Sequence, residues 1–193
     1  IWGASKTQCI EFFNSEPSIC DTYPILECKD LKLNWVKELK KDFQDQVANG
    51  ESNVSGFTHI SRCPGIFDLF KYGYVIQLPK DISITPKGDD FEFGYRRTRY
   101  TQFISPFSIH GQSANGLSKP PWASDFIIKL VTGWHVIAPK GVKFLVVPIG
   151  YPDTFDFTCT TGVMNPALST EINLQLFWNT KDKTEETLIR AGT

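Results

Sequence analysis

The sequence predicts a mainly β protein: an antiparallel jelly-roll β-sandwich with a helical appendage at its N-terminus. Three observations carry this expectation. From residue 73 onward the chain reads as about ten short segments rich in β-branched and aromatic residues, parted by Gly, Pro, Asn or Asp, with no helical period between them. The one strong helical stripe lies before that point, at residues 33–50. A chain of 193 residues is also long enough to bury a full core without disulfides or a structural metal. We therefore read residues 1–193 as a single domain, with 1–72 packed on a sandwich formed by 73–193.

In "LNWVKELKKDFQDQVANG" (33–50), Leu33, Val36, Leu39, Phe43 and Val47 recur every three or four residues and form one apolar stripe. Asn34 or Asp30 caps its start, and Asn49-Gly50 supplies the stop. The opposite face, rich in Lys, Glu and Asp, reads as solvated. A short second helix is expected over "PGIFDLFKY" (64–72), with Pro64 in the first turn and Gly73 as the C-terminal cap. The expected strands follow at 74–79, 81–85, 90–95, 99–104, 125–131, 134–138, 143–149, 154–160, 172–178 and 187–191. There is neither an internal repeat nor a low-complexity linker.

Composition narrows the function classes. Hydrophobic residues make up 41% of the chain, with 15 Phe, 5 Trp and 6 Tyr, which marks an ordered globular protein. A net charge of −1 provides no global field toward nucleic acid or acidic lipid, so nucleic acid is not an expected partner. The five cysteines (Cys9, Cys20, Cys28, Cys63, Cys159) are odd in number and contain no Cys-x-x-Cys pair. That argues against a zinc ribbon or a dithiol redox centre, and for reduced thiols in an intracellular compartment. No apolar run approaches the roughly 18 residues of a membrane span, and no signal peptide is visible. The chain begins at Ile1 and its sole methionine is Met164, so it reads as a processed or truncated product. The sequon at Asn53 carries little information.

The chemistry-bearing residues are few. The three histidines are His59, His110 and His135. His110 is followed by Gly111-Gln112, which puts a neutral amide where a His-x-Asp/Glu pair holds a carboxylate. A site built from His110 and His135 with Asp125 or Glu92 is one arrangement; histidines satisfying local hydrogen bonds are the other. Ser105, Ser108 and Ser113 flank His110 without a Gly-x-Ser-x-Gly elbow. Cys63 precedes Pro64 at a helix start, where the dipole lowers a thiol's pKa; its alternative is a small side chain fixing the helix entry. "YRRTRY" (95–100) is the densest basic stretch, with Arg97 and Arg99 as candidate binding residues. Such arginines grip phosphate or bases, or else protect a strand edge or serve an interface, and the near-zero net charge favours the latter. Trp122, after Pro120-Pro121, is set either to contact a sugar or protein partner or to fold back over the end of the sandwich. Phosphate-cradling glycine loops are absent.

Two resemblances rest on quoted residues. In "GWHVIAPKGVKFLVVPIGY" (133–151), Gly133, Pro139 and Gly141 match the spacing of the second cupin motif, but Phe144 stands where that motif places a metal-binding histidine. This resemblance implies a cupin-like shell without its ligands, and hence no metal and no cofactor. The segments "RCPGIFDLFKYGYVIQLPKDISI" (62–84), "IHGQ" (109–112), 133–151, "GVMN" (162–165), "INLQLFW" (172–178) and "LIRAGT" (188–193) together resemble an uncharacterised family carried by tailed-phage and marine bacterial genomes. That resemblance implies a phage or phage-like setting and no established activity.

The functional expectation is a non-catalytic β-sandwich acting through protein surfaces, as a virion-associated structural or accessory protein. It works through a protein partner or self-assembly, with a glycan as a further ligand class. The alternative is a cupin-like metal-dependent enzyme of oxygenase or isomerase type, with its site around His110, Gln112 and His135.

Overall fold

The computed structural model describes residues 9–50, 59–87, 90–95, 107–109, 116–148, 156–180 and 185–192. In chain order these form β1 (Glu11–Asn14), α1 (Pro17–Thr22), β2 (Leu26–Glu27), α2 (Asn34–Ala48), α3 (Pro64–Phe67), β3 (Tyr74–Val75), β4 (Ile82–Lys87), β5 (Asp90–Tyr95), β6 (Phe107–Ile109), β7 (Ala123–Ile137), β8 (Phe144–Val146), β9 (Phe157–Cys159), β10 (Gly162–Met164), β11 (Glu171–Asn179) and β12 (Thr187–Ile189). Single 3-10 turns cover Cys28–Asp30, Ile60–Arg62 and Asp68–Lys71. The chain divides into two compact units: Ile1–Pro24 with Leu78–Thr193, and Ile25–Gln77.

The first unit is an antiparallel β structure. One sheet runs β1-β7-β11-β9, with β6 also paired to β7; a second runs β12-β4-β5; β8 and β10 form a separate two-stranded ladder. A core cluster joins the two larger sheets. Ile82, Ile84, Phe91 and Ile189 come from one, and Ile128, Leu130, Leu176 and Trp178 from the other. Two layers share one apolar interior, as sheets with one buried face must. Each fully buried aliphatic or aromatic side chain stabilises by about 1.5–3 kcal/mol relative to exposure. Trp178 is fully buried at the centre and stacks on its cross-strand partner Phe157, with centroids 5.2 Å apart and planes at 7°. Phe91 meets it edge-on at 6.5 Å. The mainly β, antiparallel character read from the sequence is present. Among the described residues the strands do not close into a barrel.

Strand β7 organises the larger sheet, and here the structure departs from the sequence pattern. Residues 125–131 and 134–138, expected as two strands broken at Thr132-Gly133, belong to one 15-residue strand. Val131 faces Asn173 and His135 faces Glu171, so β7 advances four residues where β11 advances two. The excess is a bulge, with Gly133 at φ 73°. The Thr132 hydroxyl bridges the irregularity by donating to the Ile172 carbonyl and accepting from the Trp134 N–H. A glycine that reads as a turn in sequence thus serves to bend a continuous strand. The half of β7 beyond the bulge pairs with β1, Phe13 opposite His135 and Asn14 opposite Trp134. The sequence pattern foretells no strand at 11–14.

Other differences are smaller. The segments at 143–149, 154–160 and 187–191 form strands of three residues each, and 74–79 only two. Strand β4 contains Pro86, opposite Phe91 of β5 and past the last register pair with β12, a position at the margin of the ladder where proline is tolerated. The expected strand at 99–104 lies outside the described residues.

In the second unit, α2 spans most of the expected 33–50 helix, and Gly50 with φ 68° follows its end. Two of its aromatic side chains meet rings outside the helix: Trp35 lies 6.3 Å from Phe67, and Phe43, from the stripe, lies 5.1 Å from His59. The expected helix at 64–72 starts at Pro64 but tightens after one turn into the 3-10 turn at Asp68–Lys71. Gly73 follows with φ 88°, and its carbonyl accepts from Cys28 N–H at 3.0 Å beside the β2–β3 pair. No described helix is long and apolar enough to cross a membrane.

Candidate functional site

The structure places some of the sequence-derived candidates and leaves others outside its described residues. His110, Gln112, Arg97 and Arg99 belong to the latter group. His135 sits on β7 just past the bulge. Its ring stacks on Phe13, with centroids 5.1 Å apart and planes at 15°, and its Nδ1 lies 3.2 Å from the Thr170 hydroxyl. The imidazole therefore has a face-on neighbour and a hydrogen-bond partner within the sheet.

Trp122 occupies the turn that enters β7. The Ala123 N–H donates to the Pro120 carbonyl at 2.9 Å, and the Trp122 carbonyl accepts from Thr180 N–H at 3.3 Å. The Trp122 side chain packs against a small cluster of Ala123, Ile127 and Phe177. Lys119 ties the same turn down by donating to the Ala123 carbonyl at 3.0 Å and pairing with Asp125 at 2.6 Å. Asp125, one of the carboxylates considered for a metal site, is thus engaged by a lysine.

The two glycines of the 133–151 motif have backbone reasons for their identity. Gly133 takes positive φ in the bulge, and Gly141 takes φ 92° in the turn closed by Val142 N–H on the Pro139 carbonyl at 3.1 Å. Phe144, which stands at the histidine position of the cupin motif, pairs with Met164 across β8–β10 and lies 6.2 Å from Phe12. Among the described residues no three His, Cys, Asp or Glu side chains gather as a metal-ligating group.

His59, in the other unit, has a defined tautomer. The Ser61 N–H donates to Nδ1 at 3.2 Å, so the ring proton sits on Nε2, 3.3 Å from Asp42 Oδ2. Cys63 caps a helix of four residues. All five cysteines are free. Burial pushes the Cys159 thiol up to about 11, and burial likewise raises that of Cys28.

The most conspicuous feature of the surface was not among the sequence candidates. Leu145 on β8 and Val163 on β10 are directly opposite in register, and each is 66% exposed. Val147 is exposed one strand step beyond Leu145, and Leu168, in the Asn165–Ser169 turn after β10, is 86% exposed. Each strand of the ladder pairs only with the other among the described residues. Solvated strand faces are normally polar, and a cross-strand apolar pair in water forgoes the burial that makes such pairs stabilising. The signal was present in the sequence: "KFLVVPI" is apolar at alternate positions on both faces, a pattern of strands covered on both sides.

No protein-family model matches the chain, and comparison with the curated proteins and with the solved structures likewise returns no match.

Proposed function

We propose that the chain is a non-catalytic, jelly-roll-like β-sandwich that acts by binding protein through the β8–β10 face. The observation that carries this reading is the Leu145–Val163 cross-strand pair, apolar and two-thirds exposed on a ladder whose strands pair only with each other among the described residues. Exposed apolar side chains on a two-stranded ladder suit an added strand or sheet from another protein: main-chain bonds supply adhesion and the side chains select the partner. The engagement of His135 by Phe13 and Thr170 supports a packing role for that histidine. The resemblance of residues 62–84 and 133–151 to a phage-borne family supports a virion-associated or accessory setting, in which the partner is a structural protein or a second copy of the chain.

The test is association. Wild-type protein is compared with Leu145→Lys/Val163→Glu by analytical ultracentrifugation, and by capture of partners from infected cells followed by recovery with particles. Self-association or retention of a virion protein by the wild type, lost in the double variant, is the expected result. A wild type that stays monomeric, recovers no partner and is absent from particles overturns the reading.

A further inference from the structure

The unit Ile25–Gln77 contains a cavity of about 360 Å³ walled by Lys40 of α2, by Arg62 and Cys63 ahead of α3, by Phe67, and by Asp68 with Lys71. Its charge is unbalanced. Asp68 and Lys71 form an ion pair, and that bond holds the Lys71 ammonium above its ordinary range. Lys40 and Arg62 form no ion pair among the described residues, so the lining carries two more cations than anions.

Arg62 is also pre-positioned. Its guanidinium carbon lies 5.9 Å from the centre of the Phe43 ring. Phe43 is itself packed against His59, whose two ring nitrogens are engaged by Ser61 and Asp42. A stacked guanidinium loses little freedom on meeting an anion and offers it two parallel donors, while Lys40 adds a point charge. Phe67 provides an apolar wall in the same cavity. The cavity opens broadly to solvent and is larger than a bare oxyanion fills.

We propose that this cavity binds a small organic phosphomonoester, with its dianionic head between Lys40 and Arg62 and its organic body against Phe67. The site is separate from the β8–β10 face, so its success or failure leaves the protein-binding reading untouched.

Phenyl phosphate is the probe, with inorganic phosphate and phenol as comparison arms, followed by amide shifts in a proton–nitrogen NMR titration at low ionic strength. Saturable shifts at Ser61, Arg62, Cys63 and Lys71 are expected with phenyl phosphate at millimolar concentration or below, with binding about fivefold or more tighter than that of inorganic phosphate. Lys40→Gln and Arg62→Gln, both at exposed positions, are each expected to weaken binding about fivefold to tenfold with the rest of the spectrum unchanged. Bound phenyl phosphate is also expected to slow alkylation of Cys63 by uncharged iodoacetamide. The proposal is overturned by no saturation up to about 10 mM, by inorganic phosphate binding as tightly, or by affinity unchanged when both cations are removed.

Discussion

The imidazole of His135 lies face to face with the ring of Phe13, its register partner across β1 and β7. This contact joins β1 to the far half of β7, the longest strand among the described residues. An aromatic pair of this kind is worth about 0.5–1.5 kcal/mol beyond area burial. His135→Ala should therefore lower unfolding stability by about 1 kcal/mol in urea denaturation. His135→Phe, which keeps the stack and loses only the Thr170 bond, should lose less than half of that. Equal losses in the two variants would show that the stack contributes nothing.

The bulge at Gly133 makes a separate prediction. A Cβ at a φ of 73° is strained, and Gly133→Ala should destabilise by about 1–2 kcal/mol. Thr132→Val keeps the shape of a buried side chain but strips its hydroxyl from the Ile172 carbonyl and the Trp134 N–H. It should cost about 1–3 kcal/mol, since two buried backbone groups lose a partner. Chemical denaturation reads both, and wild-type stability in Thr132→Val would remove the hydroxyl's bridging role.

Ser83 and Gly94 face each other on β4 and β5. A Cβ added at Gly94 falls 2.4 Å from the Ser83 hydroxyl oxygen but an ordinary 3.7 Å from its Cβ. Gly94→Ala alone should destabilise by about 1 kcal/mol, and Ser83→Ala/Gly94→Ala should recover most of the loss. A double-mutant cycle with an interaction energy near zero would show that Ser83 simply rotates away.

Cys159 lies on β9 opposite Leu176 and packs against the core. Burial raises its thiol from an ordinary 9.0 to about 11. Folding thus favours the protonated form, so its contribution to stability is fully present below pH 9 and is lost as pH climbs toward 11. Relative to Cys159→Ala, the wild type should lose stability across that window and be flat below it. Alkylation of Cys159 at pH 8 should rise about a hundredfold on denaturation, which peptide mass spectrometry reads directly. A rate unchanged by unfolding would contradict the burial.

At the β8–β10 face, Leu145→Lys/Val163→Glu places opposite charges directly across the ladder. Because both positions are solvated, stability should stay within about 0.5 kcal/mol of wild type while association is lost. A large loss of stability instead would mean that these side chains serve the fold rather than a partner.

Much of the architecture was legible from local pattern. The stripe from Leu33 to Val47 marks α2, and the alternation in 82–85, 90–95 and 172–178 marks strands β4, β5 and β11. Side-chain spacing decides those elements, because burying one face of a helix or strand needs only the right period along the chain. Gly133 shows where local pattern stops. Positive φ was readable from its being glycine in such a setting, but turn and bulge share that backbone, and only pairing with β11 on both sides of it selects the bulge. Likewise nothing within "EFFN" distinguishes a loose segment from a sheet edge, since its ladder bonds come from residues more than a hundred positions away. The site obeys the same division. The sequence by itself determined that "KFLVVPI" is apolar on both faces; the tertiary structure decided that β10 covers its edge and leaves Leu145 in water. Hydrophobic period is a property of neighbours in the chain, whereas exposure depends on which distant segment comes to lie on top.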